Sequence, residues 1–263
     1  MKRALAFFGT LFFSLSVLVL ASSNAQTNRS LVSTQARALS VGNVLPAPVL
    51  ELTAECPDSI DGIAQCPLQG CGELGDALLN QVKNRVTNAT APFAATLEQL
   101  ASIPQPASWD TGSSRASITG VGKEGSRVIV RGFLLRVKPE GGESCNCGLT
   151  RRVDTDIHLA LASDPEDAEE DSVTAEITPR VRANGHDNWV FKNVKELEGE
   201  YVQITGWLML DTKHIPQAHR LAHERQNKGL TRITNWEIHP VTKLEVCTKS
   251  KKKCNNGIGW ESF

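Results

Sequence analysis

The sequence predicts a mainly β protein whose core is a five-stranded OB-like Greek-key barrel, with a helix between the third and fourth strands. Two observations support this fold class. Five segments in the second half have the apolar content of strands, and the alternating pattern is clearest in the second, third and fifth. A segment with helical spacing separates the third from the fourth. Three strands, a helix and two strands is the element order of that barrel.

The five predicted strands are short segments with their apolar residues on one face. They are SRVIVRGFLLRV (126–137), TDIHLALA (155–162), SVTAEITP (172–179), YVQITGWLML (201–210) and NWEIHPVTKLEV (235–246), and the predicted helix is HDNWVFKNVKELEG (186–199). The residues expected to face inward are Ile157, Leu159, Leu161, Val173, Ala175, Ile177, Val202, Ile204, Leu208, Leu210, Trp236, Ile238, Thr242, Leu244 and Val246.

Residues 1–25 are predicted to be a secretory signal peptide. Lys2 and Arg3 precede an apolar run that ends at Leu20, and small residues before the end of this segment provide a cleavage site after Ala25. We therefore expect a secreted or periplasmic protein with no stable membrane span after cleavage. A membrane anchor is the alternative, but the run is short for a span.

The remaining segments divide by composition. Residues 26–55 are predicted to be a flexible leader, because they are polar and lack periodicity. Residues 56–115 are predicted to be a cysteine-pinned helical extension with a linker, 116–247 the barrel, and 248–263 a basic tail.

Two helices are predicted within the extension. Asp76 is placed to cap the first, and the second is expected to run from Phe93 to Leu100. The apolar stripe of the first helix consists of Leu78, Leu79, Val82 and Val86.

Export makes the seven cysteines candidates for disulfide bonds. Seven is an odd number, so at least one cysteine is a free thiol, binds a metal or pairs between chains. The pairs Cys247–Cys254 and Cys66–Cys71 would each close a small loop, although spacing does not fix the connectivity. Only one residue separates Cys145 from Cys147, so we expect each to form a disulfide elsewhere, for instance with a cysteine of the extension. A soft metal site and a reactive thiol are the alternatives.

Polar side chains lie opposite the apolar ones on the second, third and fifth predicted strands. They are Asp156, His158, Glu176, Glu237 and His239. Because these strands are neighbours in the barrel, we expect the side chains on one face, which OB-folds use for ligands. Two imidazoles with carboxylates suit a divalent metal such as zinc or manganese. Asp156, His158 and Glu237 are also catalytic candidates for acid–base chemistry, and an ordinary polar strand face is the alternative.

The connection between the fourth and fifth predicted strands is rich in basic residues. The candidate binding residues are His219, Arg220, Arg225, Lys228 and Arg232. In OB-folds this connection closes on oligonucleotides or oligosaccharides, where Arg and Lys contact phosphates. A solvated polar loop is the alternative. The net charge of −1 gives no bulk attraction to nucleic acid or membrane, so any attraction must be local.

Several motifs resemble those of a group of exported bacterial proteins of unknown function. They are ESCNC, DIHLALA, ITPRVR, ITGWLMLD and WEIHPVTKLEV, with CPLQGCGELGDALLNQVKNR and IPQPASW upstream. The last part also resembles a wider set of bacterial OB-like domains that end in a Glu-x-His-Pro strand. The resemblance extends from about Cys56 to Val246. It implies that the signal peptide and the barrel are real, and it implies no activity.

Taken together, these features are interpreted as an exported OB-like binding protein whose ligand is an anionic polymer, nucleic acid or polysaccharide. Two alternatives remain open. One is a metal-dependent hydrolase of phosphodiesters that uses the polar strand face, and the other is a structural protein of the envelope. The sequence does not indicate the oligomeric state.

Overall fold

The computed structural model of the protein describes residues 56–71, 76–106, 108–109, 113–120, 123–214 and 231–263. The predicted signal peptide and leader lie outside the described residues. The same holds for four of the five candidate binding residues, which are His219, Arg220, Arg225 and Lys228. Within the described ranges, no helix combines the length and apolar character needed to cross a membrane.

Five strands close into a barrel. They are β2 (Arg127–Pro139), β3 (Ile157–Ala162), β4 (Val173–Ile177), β5 (Tyr201–Leu210) and β6 (Trp236–Cys247), and β1 (Phe93–Ala94) adds a short parallel pairing to β2. Strand β2 pairs antiparallel with β3 and β5, β3 with β4, and β5 with β6, while β4 and β6 are parallel. All five predicted strands are therefore present, and their ends match the prediction or differ from it by at most two residues.

The apolar faces of the strands form one core inside the barrel. The predicted inward faces of the second, third and fourth predicted strands are confirmed. On β6 the prediction is wrong at one position, because Val241 rather than Thr242 faces the core. The register between β5 and β6 shifts beside Gly206. There a Cβ atom would lie 2.5 Å from the Pro240 carbonyl oxygen, so glycine permits the close approach that changes the phase of β6.

The helices are short and lie outside the barrel. They are α1 (Ala77–Lys83), α2 (Leu97–Ser102), α3 (Pro179–Arg182), α4 (Phe191–Lys195) and α5 (Lys251–Asn255). The predicted cap of α1 is confirmed, since the Leu79 amide donates to Asp76 Oδ1 over 3.0 Å. Only Leu79 and Val82 of its predicted stripe are buried, and Leu78 and Val86 are exposed.

Two other helix predictions need correction. The second helix of the extension begins four residues later than predicted, because Thr96 forms a capping box with Gln99 while Phe93 belongs to β1. The helix predicted over residues 186–199 shortens to α4. The C-terminal tail also has regular structure, because α5 leads into β7 (Trp260–Ser262), which pairs antiparallel with β6.

Three disulfides join Cys56–Cys71, Cys66–Cys147 and Cys247–Cys254, and Cys145 is a buried free thiol. The predicted Cys247–Cys254 loop is confirmed, and so is a bond from Cys147 to the segment before the barrel. The predicted pair Cys66–Cys71 is wrong. The segment 56–71 packs on the loop after β2, so Cys66 is buried against that loop while the Cys71 amide donates to Ser144 O over 2.9 Å.

We expect the disulfides to differ in their contribution to stability. The bond Cys66–Cys147 closes a separation of 81 residues and Cys247–Cys254 one of 7. Chain entropy predicts that Cys66→Ser/Cys147→Ser lowers the free energy of unfolding by about 4–5 kcal/mol, and Cys247→Ser/Cys254→Ser by about 2–3 kcal/mol. Denaturant unfolding of both double variants measures this. An equal loss, or a larger loss for the short loop, would contradict the tethering role of Cys66–Cys147.

Candidate metal centre

The five polar residues singled out in the sequence meet on neighbouring strands. Asp156 immediately precedes β3, and His158 on β3 pairs with Glu176 on β4. Strand β4 runs parallel to β6, which carries Glu237 and His239. The expected convergence is therefore present, because residues two apart on a strand point to the same side.

The shared face on which these residues lie is buried. None of the five residues is more than 6% exposed, and Glu237 and His239 are 0% exposed. Helix α1 contacts both β6 and the 3-10 turn Ser144–Asn146. The helix and this turn together form a cover over this part of the barrel. The disulfide Cys66–Cys147 joins the segment 56–71 to the loop that carries this turn. This polar strand face is thus an interior site.

The orientation of His239 follows from its neighbours. Its Nδ1 lies 3.2 Å from Glu237 Oε1, and the carboxylate can only accept, so Nδ1–H donates to it. The other nitrogen, Nε2, faces Asp156 Oδ2 at 3.6 Å, which is too long for a hydrogen bond. A carboxylate that fixes the distal nitrogen of an imidazole is the usual arrangement around a metal-bound histidine.

Three atoms at this point lack a hydrogen-bond partner within the described part of the chain. They are Asp156 Oδ2, Glu176 Oε2 and His239 Nε2. One potential ligand atom from each of these residues lies within 4.8 Å of the other two. A buried polar atom without a hydrogen bond is costly. Asp156 Oδ2 and His239 Nε2 face each other at 3.6 Å, while Glu176 Oε2 lies 3.3 Å from His239 Nδ1. Carboxylate oxygens and an imidazole nitrogen are ligands for zinc and related divalent ions.

Charge in this region is unbalanced. We define the acidic cluster as the carboxylates Glu140, Glu143, Asp156, Glu176, Asp211 and Glu237 with the basic groups Lys83, His158, His214 and Arg232, which lie 2.6–3.6 Å from one or more of them. With all ten charged and His239 neutral, six negative charges face four positive ones. Glu140, Glu143 and His214 are partly exposed, but for the buried members an excess of negative charge is unfavourable unless a cation or protons neutralise it.

In the absence of a cation, protons supply the neutralisation. Burial, together with the nearby Glu176 and Glu143, raises the pKa of Asp156 to about 7 despite the opposing effect of His239. Burial would lower the pKa of His239, but Glu176 and the hydrogen bond to Glu237 outweigh burial and raise it. Burial would raise the pKa of Glu176, but the nearby His239 and His158 outweigh burial and lower it. The region therefore has a strong affinity for positive charge.

His158 lies at the edge of the site. Burial would lower its pKa, but hydrogen bonding with Glu140 and Glu176 raises it to about 9. Its Nδ1 lies 3.2 Å from Glu140 Oε1 and 3.6 Å from Glu176 Oε1. A pocket of about 210 Å³ reaches these three residues and Glu143. This pocket is the point at which the cluster approaches solvent.

Arg232, one of the candidate binding residues, has a different environment from the one expected. Its guanidinium is buried and donates to Glu237 Oε2 over 2.9 Å and to Asp211 Oδ2 over 3.3 Å. His214 Nδ1 lies 2.6 Å from the same oxygen, Asp211 Oδ2. The guanidinium therefore supports the carboxylates of the site and does not face a polymer. Glu237, a catalytic candidate, is engaged by Arg232 and His239 on both oxygens.

Five residues of the acidic cluster were not among the site residues predicted from the sequence, namely Lys83, Glu140, Glu143, Asp211 and His214. Lys83 on α1 is buried and lies 2.8 Å from Glu143 Oε2, which also accepts from the Cys145 thiol over 3.2 Å. Burial and the nearby Asp156 raise the pKa of that thiol. Asp211 follows β5 directly. The expectation that Cys145 pairs with a cysteine elsewhere is wrong, because it is a free thiol, and a soft metal site or a reactive thiol was the alternative weighed from the sequence.

Comparisons with known proteins add little. No protein-family model matches the chain, and no curated protein matches it. One similar solved structure is an OBody, AM3L09, bound to hen egg-white lysozyme, with 18% sequence identity. The match covers 48% of this chain and 86% of that chain, with a TM-score of 0.27. A similarity at that TM-score carries no inference about fold or function.

The buried pairing of Arg232 predicts a large effect of its removal. Arg232→Met would leave Glu237 and Asp211 without their cation, and we expect the free energy of unfolding to fall by about 3–5 kcal/mol. Arg136→Met is the matched control, since Arg136 lies on β2 and is exposed. Its expected change is within about 0.5 kcal/mol. Denaturant unfolding measures both, and equal small effects would contradict the pairing of Arg232.

Proposed function

We propose that this chain is an exported OB-like protein that binds one divalent transition-metal ion, zinc or manganese, through Asp156, Glu176 and His239. The observation that carries the proposal is the gap of 3.6 Å between Asp156 Oδ2 and His239 Nε2, two buried atoms that lack partners among the described residues. An ion about 2.0–2.2 Å from each atom fits that gap with an angle of roughly 120° at the metal.

The charge of the acidic cluster supports the same proposal. Its excess of two negative charges equals the charge of one divalent ion. Binding would displace the protons held by Asp156 and His239, as metal binding to such ligands generally does. Glu237 would orient the imidazole through Nδ1, and Arg232 would hold Glu237 in place.

Export and the OB-like class rest on separate support. The first 25 residues have the features of a signal peptide, and three disulfides are typical of an oxidising compartment. The OB-like class is supported by the pairing of β2 with both β3 and β5, and by the parallel pairing of β4 with β6. In this reading α1 and α2 belong to a small helical extension that precedes the barrel.

The alternative functions have less support. Arg232 does not support polymer binding, because its guanidinium is buried and paired with two carboxylates. Hydrolysis requires a substrate to reach the metal, and two of the three proposed ligands, Asp156 and His239, do not line the pocket. A purely structural role gives no reason for Asp156 Oδ2 and His239 Nε2 to face each other at 3.6 Å without a hydrogen bond. We therefore favour tight, enclosed binding of an ion over turnover.

Elemental analysis of the mature protein, purified without chelator, tests this function. We expect close to one zinc or manganese ion per chain in the parent, and its loss in Asp156→Asn and in His239→Gln. Glu245→Gln is the matched control, because Glu245 is a buried carboxylate on β6 that bonds to Gln203 and Lys243 outside the cluster. A parent without metal, or equal metal content in all four proteins, would sink the proposal.

The orienting role of Glu237 gives a further expectation. Glu237→Gln keeps the side-chain size but weakens the fixation of His239, so the dissociation constant for zinc should rise about 10- to 100-fold with unchanged stoichiometry. Competition with a chelator of known affinity measures the change, with Glu245→Gln again as the control. An unaltered dissociation constant would show that His239 does not depend on Glu237.

A further inference from the structure

A second group of potential ligands lies next to the first. Glu143, Cys145 and Asp156 each offer one atom within 4.8 Å of the other two. Asp156 belongs to both groups, and the other two residues lie in the loop after β2 that covers the barrel. The two groups are therefore neighbours that share one carboxylate.

Cys145 differs from an ordinary core cysteine in its surroundings. All seven cysteines are described, six form disulfides, and Cys145 is the free thiol at 1% exposure. Its sulfur contacts Glu143 Oε2 at 3.2 Å instead of lying among apolar side chains only. A buried thiol beside two carboxylates forms few favourable contacts as a neutral group. As a thiolate it would bind zinc-like ions strongly.

Asp156 has the capacity to serve both groups. Its Oδ2 lacks a hydrogen-bond partner among the described residues, and its Oδ1 accepts one long hydrogen bond of 3.4 Å from Asn146 Nδ2. Asn146 is itself fully buried, and its Oδ1 also lacks a partner in the described part of the chain. Asp156 Oδ2 is therefore free to accept a further ligand, and Oδ1 is held only weakly.

We propose that Glu143, Cys145 and Asp156 form a second metal position for a thiophilic divalent ion such as zinc, with Asp156 bridging the two ions. The proposal rests on the proposed function, since Asp156 is a ligand in both. Binding forms a sulfur–metal bond and releases the thiol proton of Cys145 to solvent. The Cys145 thiolate adds one negative charge to the acidic cluster, next to the Lys83 ammonium that lies 2.8 Å from Glu143.

The shared carboxylate has a consequence for the identity of the metal. Carboxylate and imidazole are ligand types that suit manganese as well as zinc, whereas a thiolate favours zinc. A dinuclear centre with Cys145 would therefore select zinc over manganese, magnesium and calcium. The second position also gives the cover a function, because α1 supplies Lys83 and the loop after β2 supplies Glu143 and Cys145.

Cobalt(II) is the probe that tests the second position, because a sulfur ligand gives it a charge-transfer band in the near ultraviolet. The mature chain is freed of metal, loaded with cobalt and passed over a desalting column. We expect about two cobalt ions per chain with the band in the parent, and about one ion without the band in Cys145→Ser and Cys145→Ala. The Cys247→Ser/Cys254→Ser variant retains Cys145 and should keep both ions and the band.

The outcomes separate the two proposals. One bound cobalt ion without the band in the parent would overturn the second position and leave the ion at Asp156, Glu176 and His239. No bound cobalt in the parent would overturn both. Because the parent's own spectrum decides whether sulfur binds the ion, the test does not depend on the folding of the variants.

Discussion

The interior of this protein is organised around negative charge that lies out of contact with water. Asp156, Glu176 and Glu237 come from three neighbouring strands and lie under a cover of α1 and the loop after β2. Buried charges of one sign are tolerated only with partners, and Lys83 and Arg232 supply part of the neutralisation. The remainder must come from protons or from a bound cation. Both the fold of the cover and the properties of the site follow from this constraint.

The cover and the site depend on each other. Without the tether Cys66–Cys147, the segment 56–71 would have fewer covalent constraints on its position over the barrel. With the tether in place, Lys83 reaches the carboxylates, and water is largely excluded from their neighbourhood. Low polarity strengthens attraction for an ion that arrives with the right charge and ligand preference. The chain thereby holds the proposed ligands in a preformed, buried arrangement in place of a surface patch that exchanges freely with solvent.

Part of this arrangement was predictable from the sequence, and the reason is periodicity. Alternating apolar residues define five strands, and residues two apart share a face, so His158, Glu176, Glu237 and His239 had to converge once the strands were neighbours. The burial of these groups was not predictable. It depends on α1, whose contact with β6 is a tertiary contact without a local signal. The same holds for Val241, which replaces Thr242 in the core because β6 shifts in register beside Gly206.

The central claim is that a metal ion lies between Asp156 and His239, and anomalous diffraction from crystals of the protein purified without chelator tests it most directly. The account predicts a peak at the absorption edge of zinc or manganese about 2 Å from Asp156 Oδ2 and from His239 Nε2. An absence of any peak there, with the two side chains joined by a short hydrogen bond, would show that a proton occupies the gap and would contradict the account.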